Sequence, residues 1–256
     1  MIKHSAKRGA RSPAFARCDV QDRALCKEEE SEIIFIYDFW REGYLRENQR
    51  NTIIDLTKPL DASFIPYSRG KYSDPPLEFG GWSSIAKEGF CVSRLSMGTQ
   101  SGTHIDAPAH FLENGDFLEA LSPDQLIGNY YLLDLPPVSS LSYITESLKT
   151  YHHEKIIFLR TPENQSAKLS VEAMQKILFL DAALLVLSGN IEIDNDEPFA
   201  FQRLVAEAAK FLVEDLEQKE ARGISGNGEI FVLPLRLVGV SGSPCRVIVR
   251  GPETIV

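Results

Sequence analysis

Three short apolar runs in the middle of the chain constrain its fold more than any other feature. They read NYYLLDLPP, EKIIFLRTP and AALLVLSGN. Apolar runs of this length without alternation are typical of strands buried on both faces. Between the second and third runs, SVEAMQKILFLD shows helical periodicity and begins with a capping pattern, Ser170 followed by Glu172. Strands that alternate with such a helix predict an α/β fold, a single domain with a mixed β-sheet flanked by helices.

The predicted domain occupies residues 51–256, and residues 1–50 form an N-terminal extension to it. The first part of the extension is basic, rich in Ser and Ala and without hydrophobic periodicity, so we expect it to be disordered. The segment 28–48 has the apolar spacing of a helix. An organelle transit peptide remains the alternative for the basic N-terminus, which lacks the apolar core of a secretory signal.

The composition argues against several classes of function. A net charge of −9 is unfavourable for binding nucleic acid, because phosphate contacts need clustered Lys and Arg. No apolar run approaches the length that spans a bilayer, so we expect no membrane partner. The cysteines form no CxxC pair, which indicates reduced thiols in a reducing compartment; they are Cys18, Cys26, Cys91 and Cys245. We therefore expect a cytoplasmic protein whose partner is a small molecule.

Residues 61–86 are rich in proline and glycine, which predicts a long loop with little regular structure. Loops of that length inside a compact domain are usually functional lids. Four aromatic residues of this loop are candidates for lining an aromatic substrate pocket, and ordinary packing under the loop is the alternative; they are Tyr67, Tyr72, Phe79 and Trp82.

The stretch TQSGTHIDAPAHF, residues 99–111, concentrates polar residues that carry chemistry. Its β-branched and small residues predict a strand over 98–106. Side chains alternate between the two faces of a strand, so one face would carry Gln100, Gly102, His104 and Asp106. Gly102 has no side chain, which would leave a gap large enough for an ion or a substrate atom.

An imidazole and a carboxylate two residues apart on one face, here His104 and Asp106, are well placed to share a metal ion. Pro108 ends the predicted strand, and the chain then turns to bring back His110, a candidate acid or base. The spacing alone leaves a second interpretation open, in which His104 is hydrogen-bonded to Asp106 in a purely structural cluster.

The segment QSGTHIDAPAHF resembles the HxGTHxDxPxH signature of the cyclase superfamily, which includes bacterial kynurenine formamidases, isatin hydrolases and some dienelactone hydrolases. The resemblance extends from Ile53 to Val249: IIDLTKPL is similar to the family's opening strand, and LPLRLVGVSGSPCRVIV to its closing hairpin. It implies the swivelling β/α/β type of the predicted fold.

The resemblance also implies a metal-dependent hydrolase, in which ions held by His and carboxylate ligands activate a water. His104 and Asp106 match metal ligands of the family, and His110 matches its proton donor and acceptor. LVEDL resembles the family's IVENL-type segment, which makes Glu214 a further ligand and, with His110, a catalytic residue.

Two family histidines are replaced by amides in this chain, at Gln100 and Gln202. An amide oxygen is a harder and weaker donor than an imidazole nitrogen, so zinc affinity should fall. The cofactor implied is a divalent metal, Mn²⁺ or Zn²⁺, with Mg²⁺ as a further option. The predicted ligands are Gln100, His104, Asp106, Gln202 and Glu214.

The segment FQRLVAEAAKFLVEDL conflicts with this ligand set. If it were one helix, Gln202 and Glu214 would lie about 18 Å apart, since a helix rises about 1.5 Å per residue. The resemblance therefore requires a break near residues 208–210, although no Gly or Pro stands there. We predict this break.

These observations predict an enzyme that cleaves a small amide, formamide, cyclic amide or lactone with metal-activated water, N-formylkynurenine-like formamides among the candidates. The family resemblance implies a homo-oligomer, a dimer or tetramer. The alternative is a non-catalytic binding or regulatory protein of the same fold that has lost the full metal site.

Overall fold

The computed structural model describes residues 53–195 and 197–251. The predicted N-terminal extension, with its predicted helix at 28–48, lies outside the described residues. The strands are, in chain order, β1 (Ile53–Asp55), β2 (Ser68–Arg69), β3 (Tyr72–Ser73), β4 (Glu78–Ser83), β5 (Val92–Ser96), β6 (His104–Asp106), β7 (Ile127–Asp134), β8 (Val138–Ser139), β9 (Ile156–Arg160), β10 (Ser166–Leu169), β11 (Leu184–Ser188), β12 (Asn190–Ile193), β13 (Phe211–Glu214), β14 (Gly228–Pro234) and β15 (Gly242–Arg250).

The α-helices are shorter than the segments with helical periodicity in the sequence. They are α1 (Ile85–Glu88), α2 (Pro123–Leu126), α3 (Leu141–Ser147), α4 (Val171–Leu178), α5 (Ala200–Glu207) and α6 (Gln218–Ala221). Turns of 3₁₀ helix cover Pro108–His110, Leu118–Ala120 and Leu148–Thr150. In the described part of the chain, no helix is long and apolar enough to cross a bilayer.

The main sheet has the strand order β1-β15-β14-β7-β9-β11-β13-β6. The strands β7, β9, β11 and β13 run parallel, whereas β14, β15, β1 and β6 pair with their neighbours in the antiparallel direction. Because β6 pairs with β15 as well as with β13, the strands from β15 to β6 close into a ring. The predicted α/β class with a mixed sheet is confirmed.

Strand β9 shows why the apolar runs do not alternate with polar residues. Its residues Ile156 and Phe158 join a core cluster formed mainly by the ring strands. Ile157 and Leu159 point the other way and join a second cluster, which contains residues of α4 and α5. Both faces of the strand are therefore buried, as the sequence predicts.

The predicted break between Gln202 and Glu214 is confirmed, since α5 ends at Glu207 and β13 begins at Phe211. Ala209 adopts a left-handed conformation, with φ of 53°. Its N–H donates to the Ala206 carbonyl at 2.8 Å, and the N–H of Lys210 donates to the Val205 carbonyl at 3.2 Å. These two bonds form a Schellman motif, which ends the helix without a glycine.

Two sequence predictions were wrong in this region of the fold. The predicted strand at 98–106 is a strand only at β6, because Ser101 closes a turn onto the carbonyl of Gly98 and Gly102 is left-handed. The predicted loop at 61–86 contains the short strands β2, β3 and β4, and β4 pairs with β5 as a two-stranded ribbon. The strand β4 was not predicted from sequence, because two glycines interrupt its pattern of strand-forming residues.

Candidate metal centre

The position of β6 between β13 and β15 brings three potential ligands together. His104 is the direct cross-strand partner of Glu214, and Asp106 lies two residues further along β6, on the same face as His104. One imidazole nitrogen and one oxygen from each carboxylate all lie within 4.8 Å of one another. The side chains of His104 and Asp106 are buried.

The His104 ring is held in one orientation by the turn before β6. Its Nδ1 lies 2.8 Å from the Gly102 carbonyl oxygen, so Nδ1 carries the proton that is donated to this oxygen. The other ring nitrogen, Nε2, lies 3.7 Å from Oδ1 of Asp106 and is the nitrogen that could bind an ion once its proton is lost.

Gly102 therefore acts through its backbone. The prediction that its missing side chain leaves room for an ion or a substrate atom is wrong, because Leu60 fills that space. The φ of Gly102 is +64°, which favours glycine, and a Cβ there would lie 2.7 Å from a methyl carbon of Leu60. The left-handed turn directs the glycine carbonyl towards His104.

Burying these three groups together shifts their proton affinities. Burial opposes protonation of His104, but the hydrogen bond and the negative charge of Asp106 outweigh it and raise the pKa of His104 to about 9. Burial, followed by the charge of Asp106, raises the pKa of Glu214 to about 7. The centre thus holds more negative charge than its buried surroundings favour, and a bound cation would relieve this cost.

Gln100 lies in the turn before β6 rather than in a strand, yet it reaches the same centre. Its Nε2 lies 3.4 Å from Oδ1 of Asp106 and 3.4 Å from Nδ1 of His110. Its Oε1 accepts a hydrogen bond from the Thr99 hydroxyl at 2.7 Å. Its predicted role as a ligand stays a prediction.

Gln202 projects from α5 towards β13, because the break after Glu207 lets the chain fold back on itself. Its Nε2 lies 3.0 Å from Oε1 and 3.4 Å from Oε2 of Glu214. The two residues that one helix would hold about 18 Å apart are therefore in contact. Ligation by Gln202 likewise stays a prediction.

His110 lies at the exposed side of the centre, at the end of the 3₁₀ turn that Pro108 begins. Its Nδ1 is also 3.5 Å from the Ser241 hydroxyl, and its ring meets that of Phe111 edge-on, with centroids 4.5 Å apart. The imidazole is therefore open to solvent while its position is held from two sides.

An aromatic cluster adjoins His110, and the sequence predicted one member of it. The ring of Phe199 lies 5.8 Å from that of Phe111 and 6.0 Å from that of Tyr67, and the Arg69 guanidinium lies 5.4 Å from its centroid. Phe199 itself has φ of 58°, an uncommon conformation for a bulky residue. All four predicted pocket residues have exposed side chains, Tyr67 included; the other three are Tyr72, Phe79 and Trp82.

Sequence reasoning missed Thr99, Phe111, Phe199 and Gly242 at this centre. Thr99 and Phe111 border the signature and could have been found by their position. Phe199 and Gly242 come from distant parts of the chain and carried no local signal. A Cβ on Gly242 would lie 2.5 Å from Nε2 of Gln100, so this glycine makes the room for the Gln100 amide.

One sizeable cavity in the described part of the chain lies away from this centre. It has a volume of about 660 Å³ and lies between the segments 118–126 and 234–238. Beside the centre, Asp106, Phe111 and Gln202 line a space of only about 10 Å³. The chemistry of the ligand cluster therefore marks the candidate site better than the size of the cavity does.

Comparison with known proteins shows which family this sequence resembles. The sequence profile of the family described as "Putative cyclase" matches residues 54–219, which include all the predicted site residues. A curated relative, the kynurenine formamidase of Bacillus cereus, is 26% identical over 207 residues, which cover 77% of this chain and 96% of the relative.

Solved structures share the fold. Isatin hydrolase A from Labrenzia aggregata, bound to benzyl benzoate, has a TM-score of 0.68 at 17% identity over 83% of this chain and 100% of its own. A structure described as a potential metal-dependent hydrolase with cyclase activity has a TM-score of 0.61 at 20% identity, over 79% of this chain and 99% of its own. Because the family profile covers more than half of the sequence, the chain belongs to the cyclase family.

Proposed function

We propose that this protein is a metal-dependent hydrolase that cleaves a small amide, formamide, cyclic amide or lactone with activated water. The observation that carries the proposal is the buried cluster of His104, Asp106 and Glu214, whose donor atoms lie within 4.8 Å of one another. The names of the relatives, kynurenine formamidase and isatin hydrolase, support an amide or cyclic amide as the substrate.

The donor set fits a divalent ion. One imidazole and two carboxylates are ligands that Mn²⁺ and Zn²⁺ both accept, and the excess of oxygen atoms also suits Mg²⁺. His104 would bind through Nε2, because Nδ1 is occupied by the Gly102 carbonyl. A divalent ion held there would lower the pKa of a water molecule and would polarise a carbonyl oxygen.

The protein's own groups would move the protons. His110 takes a proton on the exposed side of the centre and passes it to the leaving nitrogen or oxygen, while Gln100 and Ser241 hold its ring. We assign Glu214 to the catalytic machinery through the ion that it would hold, because a bound cation would keep its carboxylate ionised and would activate the water.

The aromatic cluster supports a substrate with an aromatic ring. Phe111 lies beside His110, and Phe199 and Tyr67 continue the apolar surface away from the ligands. Aromatic rings pack favourably against such edges and faces. An N-formyl aromatic amine or a cyclic aromatic amide would place its ring on this surface and its carbonyl towards the ligands.

The ribbon formed by β4 and β5 supports a homo-oligomer. A two-stranded ribbon is marginally stable by itself. This one and its connection through α1 expose large apolar side chains, namely Phe79, Trp82, Ile85, Phe90 and Leu95. Its charged residues have both signs, so two copies can pair without repulsion; they are Glu78, Lys87, Glu88 and Arg94. A second copy of the chain would bury this apolar surface.

The test is a metal analysis followed by activity measurements. Purified protein is stripped with chelator, reloaded with Mn²⁺, Zn²⁺ or Mg²⁺, and assayed against an N-formyl aromatic amine, a cyclic amide and a lactone. We expect bound metal, metal-dependent stabilisation and turnover of at least one substrate. His104→Ala should lose all three, and the surface variant His152→Ala serves as the matched control. A protein that binds no ion and turns over no substrate would instead be a non-catalytic member of the family.

A further inference from the structure

Both glutamines at the metal centre present their N–H groups, not their oxygens, to the carboxylates. Nε2 of Gln202 lies within 3.4 Å of both oxygens of Glu214, and the shorter distance is 3.0 Å. Nε2 of Gln100 lies 3.4 Å from Oδ1 of Asp106. Because an ionised carboxylate only accepts hydrogen bonds, an amide beside it must donate.

The surroundings determine which way each amide points. At Gln202 a reversed amide would bring Oε1 against both oxygens of Glu214, which is repulsive when the carboxylate is ionised, as it would be with an ion bound. At Gln100 the Thr99 hydroxyl donates to Oε1 at 2.7 Å, and reversal would face this oxygen towards Asp106. The NH₂ group of Gln100 also occupies the space that Gly242 leaves open, since a Cβ there would lie 2.5 Å from Nε2.

The number of ligands then limits the number of ions. The donor atoms of His104, Asp106 and Glu214 lie within 4.8 Å of one another. Two bonds of about 2.0–2.2 Å span at most about 4.4 Å, so one ion can bind all three after side-chain shifts of a few tenths of an ångström. A second ion beside either carboxylate would need further lone pairs. Beside Asp106 the chain places the amide N–H groups of Gln100, and beside Glu214 those of Gln202, and neither offers a lone pair there.

We infer that Gln100 and Gln202 are positioning residues: they hold Asp106 and Glu214 by hydrogen bonds, do not ligate metal, and restrict the centre to one divalent ion per chain. The inference rests on the proposed function, because it assumes that the same centre binds metal. It revises the ligand set predicted from sequence to one imidazole and two carboxylates.

The first experiment observes the glutamines directly. Metal-free protein with isotope-labelled glutamine is titrated with Zn²⁺, which is diamagnetic, while NMR follows the side-chain NH₂ and Cδ signals of Gln100 and Gln202. Native mass spectrometry counts the bound ions. We expect one ion per chain, NH₂ signals that stay hydrogen-bonded, and Cδ shifts that change little. A large Cδ shift, which indicates binding through Oε1, or two bound ions would overturn the inference.

Variants test the restriction independently. Gln202→Leu removes the donor at similar size, so we expect a metal affinity lower by about 10–100-fold with one ion still bound. The double variant Gln100→His and Gln202→His supplies two lone pairs, so we expect a second ion; a single ion there would overturn the inference. Gln175→Leu, an exposed glutamine on α4, is the matched control and should leave affinity and stoichiometry unchanged.

The outcomes separate the two proposals. Wild-type protein that binds no Zn²⁺, Mn²⁺ or Mg²⁺ would overturn the proposed function and this inference together. Wild-type protein that binds two ions, or one ion with a glutamine oxygen as ligand, would overturn the inference and leave the hydrolase proposal standing. The NMR experiment uses the wild-type chain, so the result does not depend on whether a variant folds.

Discussion

Replacing Ala209 by glycine tests the helix break that brings Gln202 to Glu214. Ala209 has φ of 53° at the end of α5. A left-handed conformation costs an L-residue roughly 1–2 kcal/mol, whereas glycine adopts it freely. Glycine also has more freedom to lose on folding, which offsets roughly 0.5–1 kcal/mol. Ala209→Gly should therefore stabilise the protein by about 0.5–1 kcal/mol.

The sign of this effect distinguishes the broken helix from a continuous one. In an uninterrupted helix the same substitution would destabilise by about 1 kcal/mol. Ala209 is exposed, so lost side-chain packing does not confuse the comparison. The neighbouring Ala208 has φ of −79° and gives the matched control, because Ala208→Gly should destabilise by roughly 0.5–1 kcal/mol.

Urea unfolding at equilibrium measures both variants against the wild type, and thermal unfolding should show a rise of about 2 °C for Ala209→Gly. Metal content should stay at the wild-type level, since the contact between Gln202 and Glu214 is kept. A left-handed helix break at Ala209 is refuted if Ala209→Gly is less stable than the wild type, or if both glycine variants change stability in the same direction.

Three further predictions address the centre and the ribbon. His110→Ala should lower kcat by about 10²–10⁴-fold with unchanged metal content, and loss of the metal would show that it is a ligand instead. Because burial and Asp106 raise the pKa of Glu214 from 4.5 to about 7, its contribution to the stability of the metal-free protein is complete below pH 4.5 and lost as the pH rises through 7. Glu214→Gln should therefore reduce the pH dependence of urea unfolding in chelator, and an unchanged profile would contradict this cause. Trp82→Asp should dissociate the proposed homo-oligomer in sedimentation velocity, whereas Phe179→Asp, at the exposed C-cap of α4, should not.

The sequence was sufficient to predict local structure wherever a single physical preference acted on a segment. The apolar runs of β7, β9 and β11 have no polar face to expose, so they could only become strands buried on both sides. Helix α4 combines helical periodicity with a Ser170 cap that accepts from the Ala173 N–H. The signature residues His104, Asp106 and His110 were found from their spacing and their resemblance to a family pattern.

The segment from Ala200 to Glu214 shows where sequence reasoning needed help. Local propensity favours a continuous helix there by a few tenths of a kcal/mol per residue. In the fold, Phe211, Leu212 and Val213 are almost fully buried between β11 and β6, and each contributes roughly 1.5–3 kcal/mol by burial. Tertiary packing therefore outweighs propensity, and only the family resemblance anticipated the result.

The sequence by itself determined the fold class, the buried strands and the residue types at the candidate metal centre. Tertiary structure alone decided that Gln100 reaches Asp106 from a turn, and that Gly242 makes room for it. It also decided that both glutamines offer hydrogens to the carboxylates. The physical reason is that an amide carries a donor and an acceptor on one side chain, and only the groups that fold around it determine which end faces the centre.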